Sequence, residues 1–384
     1  MNGSISPQDA ASMAKNVYDV NDSFFIKAFI KKYGFLSEST TSLKAEVGSR
    51  LINTRDGFGI CVRGANNHER DLFLIFRGTT FSNYGADVIT DLRLGVERSR
   101  TGLSVHIGFH HAFTSMIPEI EKFLHAQQSA TGTIHCIGHS LGGAVAALAA
   151  DWLSAQGKHV KLYTFGAPKP GLDCFAVKLT KRVGTDNIYR VYHSTDVVPM
   201  VPVYPFSHSP TDHCGYQLPS GGFVSFAAHK ISNYEKSVKN SSWLVLKNTG
   251  EQTAYEASIE HWLKSEKPIN PADPRTWEWL NAGLAWVLRR LIGSAAVYLQ
   301  APFMSSLSLA DKIAWILRKG IDLTVDTGVW VLNLMRKIML ALGMKVAKTV
   351  AELTEQFMRS ILLRLMRRMS EEAQRALRGL MTSL

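Results

Sequence analysis

Apolar and polar residues follow two different patterns along the first 240 positions. Short apolar runs rich in β-branched and aromatic residues predict strands, and polar-interrupted stretches of helical length lie between them. Strand, helix and strand in succession favour an α/β fold with a mainly parallel sheet and helices on both of its faces. The predicted strands are Gly59–Arg63, Asp71–Phe76, Thr133–Ile137, Val160–Phe165 and Ile188–Tyr192, and the predicted helices are Asp9–Val20, His110–Ala126, Ser140–Gln156 and Leu172–Lys181.

Beyond about Trp243 the pattern becomes helical. Three prolines punctuate residues 268–274, and Ser308-Leu-Ala-Asp311 has the form of a capping box. Seven apolar residues that recur every three or four positions predict one amphipathic helix: Val346, Val350, Leu353, Phe357, Ile361, Leu365 and Met369. Four arginines lie off this apolar stripe: Arg359, Arg364, Arg367 and Arg368. We therefore predict an α/β domain over 1–245, a linker over 246–274 and a basic α-helical region over 275–384.

Two segments bear on membranes and export. Leu291 to Ala310 is uncharged and has the length of about 20 residues that a spanning helix needs. It contains Pro302, Gln300 and four serines, so we favour a buried helical hairpin over a membrane span. The first nine residues have neither a basic nor an apolar region, which predicts that no secretory peptide is cleaved.

Composition narrows the class of protein. Of 384 residues, 46% are apolar and 20% charged, which excludes a mainly disordered or collagen-like chain. The four cysteines, Cys61, Cys136, Cys174 and Cys214, are too scattered for a disulfide framework or a zinc cluster, so we expect buried thiols. The net charge is +11, and residues 275–384 hold 16 Lys and Arg against 8 Asp and Glu. The two ends of the chain therefore differ in character.

Gly138-His-Ser-Leu-Gly142 carries the main chemical signal. It follows an apolar run and opens a stretch of small residues, as a strand–turn–helix nucleophile elbow requires. Such a turn needs small residues two positions before and after the serine, and it lifts Ser140 Oγ clear of the sheet with a helix N-terminus behind it. The alternative is an ordinary glycine-rich turn.

A serine hydroxyl needs a base to take its proton and a third group to orient that base. In the elbow architecture both follow the serine along the chain. Asp196 comes just after a predicted strand, although it could instead only initiate a turn. His229 is the favoured base because a late loop can fold back over the serine, and His213 and His208 are the alternatives.

An oxyanion formed at the ester also needs two preorganised donors. The backbone N–H of Leu141, the residue after the nucleophile, can supply one. Thr79 follows Phe76-Arg-Gly78 at the end of a predicted strand and can supply the other.

Five segments in order resemble the class 3 lipases of the α/β-hydrolase superfamily: Phe76-Arg-Gly-Thr79, Val105-His-Ile-Gly-Phe109, Gly138-His-Ser-Leu-Gly-Gly143, Tyr163-Thr-Phe-Gly-Ala-Pro168 and Asp196-Val-Val-Pro199. The resemblance covers about residues 60–235. It implies that Ser140 is the nucleophile, with Asp196 and His229 as its partners. It also implies an oxyanion hole from Thr79 and Leu141.

The same resemblance implies a lid over residues 82–92, and we expect neither a cofactor nor a metal ion. The resemblance makes the segment that holds His106, His110 and His111 structural rather than metal-binding.

The basic helical region bears on where the enzyme acts. Trp277, Trp279 and Trp286, followed by Arg289-Arg290, suit the interface of an anionic phospholipid bilayer. The alternative is that these tryptophans form the core of a helical bundle, and one element can do both. Nucleic acid is not expected, because the arginines follow helical spacing without a recognised binding motif.

The absent export peptide, the lipase-like core and the basic helices together resemble bacterial lipase effectors delivered by type VI secretion, which attack membrane phospholipids of rival cells. This resemblance implies synthesis in the bacterial cytoplasm and delivery by a non-Sec route into the target cell periplasm. It also implies membrane association during action and a cognate immunity protein as partner.

The favoured function is that of a serine phospholipase, type A1, that cuts acyl esters of membrane glycerophospholipids through an acyl-enzyme. One alternative is a triacylglycerol or small-ester hydrolase. An alternative of another class is a membrane-interacting or pore-forming protein that uses the hydrolase fold only as a scaffold.

Overall fold

The computed structural model describes residues 4–19, 22–49, 52–78, 95–211, 215–219, 226–249, 255–292 and 308–379. The helices are α1 Pro7–Asn16, α2 Ser23–Tyr33, α3 Ile107–Ala126, α4 Leu141–Ala155, α5 Asp173–Val183, α6 Ile231–Ser237, α7 Trp243–Thr249, α8 Tyr255–Lys264, α9 Pro274–Ile292, α10 Leu309–Ile321, α11 Val325–Ala341 and α12 Glu355–Gly379. The strands are β1 Phe35–Ser49, β2 Ile52–Gly64, β3 Leu72–Phe76, β4 Val96–Arg98, β5 Ser104–His106, β6 Ile134–His139, β7 Val160–Phe165, β8 Gly171–Leu172, β9 Ile188–His193, β10 Phe206–Ser207 and β11 Tyr216–Leu218.

A seven-stranded sheet in the order β1-β2-β3-β6-β7-β9-β11 forms the centre of the molecule. Its strands from β3 to β11 run parallel, and β1 and β2 extend it as an antiparallel pair. A smaller sheet, β10-β8-β5-β4, lies beside it. The mainly parallel sheet and the helical C-terminal region confirm the expected fold class. Parallel strands end at one common edge, and this edge is where the chemistry gathers.

Strands β3, β6 and β7 in the middle of the central sheet are buried at every position. Along β3, Leu72, Leu74 and Phe76 point into one apolar core, and Phe73 and Ile75 point into the other. Helices α3, α4 and α5 contribute to the first core, and α1, α2 and α6 contribute to the second. A continuous apolar run is typical of a strand that is covered on both faces.

The C-terminal helices share the first core with the sheet. Buried residues of α9 to α12 belong to the same apolar cluster as those of β3, β6 and β7. Asn281 Oδ1 on α9 accepts a hydrogen bond from the Tyr204 backbone N–H at 3.0 Å, and Arg289 forms an ion pair with Asp173 at 2.6 Å. Helix α8 lies inside the range predicted as a linker. The helical region is thus packed directly against the α/β part.

The predicted amphipathic helix over 346–369 is wrong in its first third. Helix α12 begins only at Glu355, because the Thr354 hydroxyl accepts the Phe357 N–H at 3.2 Å and so caps its N-terminus. Residues 344–349 carry no regular element, and 350–352 form a short 3₁₀ turn. Within α12 the stripe holds, since Ile361, Leu365 and Met369 are buried. The capping box at Ser308 and Asp311 is confirmed.

The structure distinguishes the two interpretations of the tryptophans. Trp277 and Trp286 are only 2% and 5% exposed and lie in the apolar core, so the bundle-core alternative holds for these two. Trp279 is partly buried and stacks on Trp262, with ring centroids 5.7 Å apart. Exposed basic residues of this region include Arg359, Arg364 and Arg367 of α12, of which Arg359 pairs with Asp311.

Three further expectations have mixed outcomes. Cys61 and Cys136 are buried free thiols as expected, but Cys174 is exposed, because α5 turns its neighbour Phe175 towards the core instead. Cys214 lies outside the described residues, and so does 293–307, most of the predicted helical hairpin. Among the helices that the structure describes, none combines the length and the apolarity needed to cross a membrane.

Two adjacent leucines of α12 test how firmly the C-terminal helix is packed. Leu362 is fully buried, whereas Leu363 is 40% exposed. We expect Leu362→Ala to lower the free energy of unfolding by about 2–5 kcal/mol, because it leaves a cavity in the shared core. Leu363→Ala should change it by no more than about 0.5 kcal/mol. Urea denaturation monitored by circular dichroism measures the free energy of unfolding of both variants. Equal losses of free energy in the two would contradict this packing.

Candidate active site

Ser140 lies in a sharp turn between β6 and α4. Its backbone has φ 55° and ψ −130°, a conformation that residues with a side chain rarely adopt. A Cβ at Gly138 would lie 2.2 Å from the Gly142 carbonyl oxygen, and a Cβ at Gly142 would lie 2.4 Å from the Phe76 carbonyl oxygen. The small residues predicted on either side of the serine are therefore required by the close approach of three backbone segments.

The structure brings Ser140, His229 and Asp196 together from three loops. His229 ends a 3₁₀ turn at 226–229, and Asp196 follows β9. His229 Nε2 is 2.9 Å from Ser140 Oγ, and His229 Nδ1 is 2.8 Å from Asp196 Oδ2. The three residues are at most 3% exposed. A chain of hydroxyl, imidazole and carboxylate at these distances can transfer the serine proton to the imidazole.

Asp196 is held in its charged form by its neighbours. Its Oδ2 also accepts the Tyr234 hydroxyl at 2.7 Å, and its Oδ1 accepts the Val198 N–H at 3.0 Å. Burial alone would raise the pKa of Asp196, but His229 and these donors outweigh it and hold the pKa below its usual range. The carboxylate therefore keeps the Nδ1 proton of His229 in place and leaves Nε2 free to act as a base.

A second series of hydrogen bonds holds the elbow in place. His139 Nε2 donates to the His229 carbonyl oxygen at 2.8 Å, and its Nδ1 accepts the Tyr18 hydroxyl at 2.7 Å. The same hydroxyl oxygen accepts the Gly78 N–H at 3.0 Å. Burial lowers the pKa of His139 to about 3 and raises that of Tyr18, so a neutral imidazole faces a protonated phenol. These hydrogen bonds join the N-terminal segment, the elbow and the His229 turn.

His193 fixes the 226–229 turn from the other side. Its Nδ1 donates to the Ala228 carbonyl oxygen at 2.7 Å, and its ring stacks on Tyr234 with centroids 4.2 Å apart. Its backbone N–H donates to the Tyr234 hydroxyl at 3.1 Å. Sequence reasoning missed Tyr18, His139, His193 and Tyr234 as site residues. Only His139 carried a signal, because it stands inside the Gly-His-Ser-Leu-Gly motif.

Only part of the predicted oxyanion hole falls on described residues. Leu141 is the first residue of α4, so its N–H has no acceptor within the helix and remains available. Thr79 lies outside the described residues, as does the predicted lid over 82–92. Gly78, the residue before Thr79, lies against the elbow, since a Cβ there would be 3.1 Å from Ser140 Cβ.

The alternative histidines have other surroundings. His208 Nε2 donates to the Pro199 carbonyl oxygen at 2.7 Å, and His213 lies outside the described residues. His110 pairs with Glu97 at 2.7 Å, and His111 lies 3.6 Å from the same carboxylate. His106 caps α3 by accepting the Gly108 N–H at 3.1 Å.

Helix α12 packs against the loops that hold the triad. It contacts the 226–229 turn that ends at His229 and the 198–200 turn that follows Asp196, and α9 also contacts the second turn. The C-terminal helices therefore contribute to the wall behind the imidazole and the carboxylate.

The chain is similar to known lipases over its central part. Residues 73–206 match the family model described as lipase (class 3). A secreted mono- and diacylglycerol lipase 1 of Fusarium solani is 34% identical over 170 residues, which cover 43% of this chain and 49% of that protein. A chloroplastic phospholipase A(1) DAD1 of Arabidopsis thaliana is 32% identical over 154 residues, 35% of this chain and 34% of that protein. The chain thus spans about half or less of the length of these two relatives.

Two solved lipase structures match part of the chain. A mono- and diacylglycerol lipase from Aspergillus oryzae is 20% identical with a TM-score of 0.42, and the match covers 59% of this chain and 86% of that one. A lipase from Rhizopus microsporus var. chinensis is 21% identical with a TM-score of 0.40, over 62% and 83% of the two chains.

The Tyr18 hydroxyl can be tested by Tyr18→Phe. Loss of the oxygen leaves the Gly78 N–H and His139 Nδ1 without partners, and each buried unpaired group costs about 1–3 kcal/mol. We expect a lower free energy of unfolding in chemical denaturation. The control is Tyr33→Phe, because its hydroxyl's partners Ser12 and Asn16 remain hydrogen-bonded to each other at 3.3 Å. A smaller loss in Tyr18→Phe than in Tyr33→Phe would contradict the assignment.

Buried neutral histidines also predict how stability depends on pH. Burial lowers the pKa of His106 to about 4 and that of His139 to about 3, whereas both titrate near 6.5 in the unfolded chain. Between about pH 6.5 and the lowered pKa values of the folded protein, the unfolded chain binds more protons than the folded protein does. The free energy of unfolding therefore falls as the pH drops below about 6.5. Each group contributes about 1.4 kcal/mol per pH unit. His106→Asn keeps an N-cap acceptor but should flatten the slope, and an unchanged slope would contradict a neutral His106.

Proposed function

We propose that this chain is a class 3 lipase that hydrolyses carboxylic esters of lipids, with Ser140 as nucleophile. The hydrogen-bonded sequence Ser140 Oγ, His229 Nε2, His229 Nδ1 and Asp196 Oδ2, at 2.9 and 2.8 Å, carries this proposal. The match of residues 73–206 to the lipase family supports it independently.

The reaction follows from the directions of these bonds. His229 Nε2 takes the Ser140 proton as Oγ attacks the acyl carbonyl carbon, and Asp196 stabilises the imidazolium that forms. We propose the Leu141 N–H as one donor to the oxyanion and Thr79 as the other. The imidazolium then returns its proton to the leaving alcohol. Water attacks the acyl-enzyme by the same route, which releases the fatty acid and restores Ser140.

Within this class we propose membrane glycerophospholipids as substrates and phospholipase A1 as the activity. The exposed arginines of α12 suit an anionic bilayer, near which each basic residue contributes about 1 kcal/mol. The similarity to a plant protein named phospholipase A(1) is consistent with this choice. Neutral glycerides are the second candidate, because other relatives are named mono- and diacylglycerol lipases.

A purely scaffolding role is disfavoured by the intact triad, since the strained φ of Ser140 has no use in a protein that only binds membranes. Delivery by type VI secretion, action in the periplasm of a rival cell and a cognate immunity protein stay predictions.

Fatty-acid release tests the proposal on two substrates, anionic phospholipid vesicles and emulsified triacylglycerol. We expect release from both by the wild type, faster from the vesicles. Ser140→Ala should lower the rate by about 10⁴-fold or more, because the remaining triad groups do not act independently. The control is Ser154→Ala, in the same helix but away from the triad.

Two variants, His229→Ala and His213→Ala, test which histidine acts as the base. The first should match the loss in Ser140→Ala, and the second should retain most of the activity. Substantial turnover by Ser140→Ala would remove the triad from the mechanism. Faster release from triacylglycerol would favour the second candidate substrate.

A further inference from the structure

A second cluster of polar side chains lies at the opposite edge of the central sheet. It contains His68 in a 3₁₀ turn, Asp71 just before β3, and His135 near the start of β6. The amino ends of parallel strands face away from the edge that holds the triad. Five residues of extended chain separate His135 from Ser140, or about 16 Å, so this cluster has no part in the reaction.

Three possible metal-binding atoms converge in this cluster. Asp71 Oδ2 lies 2.7 Å from His68 Nδ1 and 3.6 Å from His135 Nε2. All three atoms lie within 4.8 Å of one another. Ligands of a tetrahedral zinc ion lie about 3.4 Å apart, given bonds of about 2.0–2.2 Å. Small side-chain rotations therefore suffice to form three bonds to one ion.

His135 is the unexplained member of the cluster. Its side chain is 0% exposed, and it is held between Phe73 and Tyr163 with ring centroids 4.6 and 5.8 Å away. Neither of its ring nitrogens has a hydrogen-bond partner among the described residues. A buried polar ring without partners is costly, and each such case needs an explanation. A metal ion on Nε2 would supply a partner for one of these two nitrogens.

Asp71 is already oriented for this role. Its other oxygen, Oδ1, accepts the Thr133 N–H at 2.7 Å. Its own N–H donates to the His68 carbonyl oxygen at 2.8 Å. Residue 132 must be glycine, because a Cβ there would lie 2.3 Å from Asp71 Oδ1. Such hydrogen bonds to the far side of a carboxylate orient metal ligands in known sites.

We propose that His68 Nδ1, Asp71 Oδ2 and His135 Nε2 bind one divalent transition-metal ion, with zinc as the preferred ion. Two imidazoles and one carboxylate are a donor set that zinc favours, and the fourth position is left to water. To bind the ion through Nδ1, His68 must carry its proton on Nε2 instead, and its side chain is 36% exposed. The ion joins the turn before β3 to β6 and so acts as a structural staple.

The test is zinc titration of the full chain after removal of bound metals with a chelator. Calorimetry should show one ion per chain, Co²⁺ should give the visible absorption of a four-coordinate site, and zinc should raise the melting temperature. His68→Asn and Asp71→Asn should each weaken zinc binding by at least about tenfold and abolish the melting shift. Asp71→Asn keeps an acceptor for the Thr133 N–H, so the turn should still fold.

The matched control is His111→Asn, which removes an exposed imidazole that also lies 3.6 Å from a carboxylate. Zinc binding and the melting shift should be unchanged in this variant. Zinc binding that survives both His68→Asn and Asp71→Asn, or that is lost in His111→Asn, would overturn the proposal. Failure of the wild type to take up one ion would overturn it as well. Because the readouts are binding and melting, the outcome does not depend on whether the chain hydrolyses lipids.

Discussion

The hydrogen bond between Asp196 and His229 is the contact on which the candidate active site depends. It joins residues 33 positions apart in the chain, and the imidazole in turn reaches a serine 89 positions away. An imidazole has two similar nitrogens, and only the carboxylate decides which of them faces the hydroxyl. The parallel sheet makes this meeting possible, because β6 and β9 end at the same edge.

Segments near both ends of the chain help to position the His229 turn. From the N-terminal side, Tyr18 and His139 connect the end of β3 to the backbone of the His229 turn. From the C-terminal side, α12 packs on the same turn. The imidazole is thus positioned by parts of the chain that carry no reacting group.

Local patterns were enough to predict the central strands and the elbow. The run Asp71–Phe76 and the Gly-His-Ser-Leu-Gly motif are short, and their meaning depends only on neighbouring residues. The β1–β2 hairpin was largely missed, because β1 is rich in Ser and Thr and contains few large apolar residues. The hydrogen bond from Tyr18 to His139 could not be predicted from the sequence either, because the two residues are 121 positions apart. The start of α12 was misjudged because periodicity alone does not show that a threonine cap ends the preceding loop.

The packing of α12 on the His229 turn has a practical consequence for anyone who divides this molecule. A lipase core and an accessory tail would normally be cloned apart and studied as interchangeable modules. Here a cut ahead of Glu355 would remove a helix that packs on the His229 turn and would expose the apolar surface that this helix now covers. Shortened versions of the protein should therefore suffer in solubility and in catalysis together, and a loss of activity on truncation would say little about substrate recruitment.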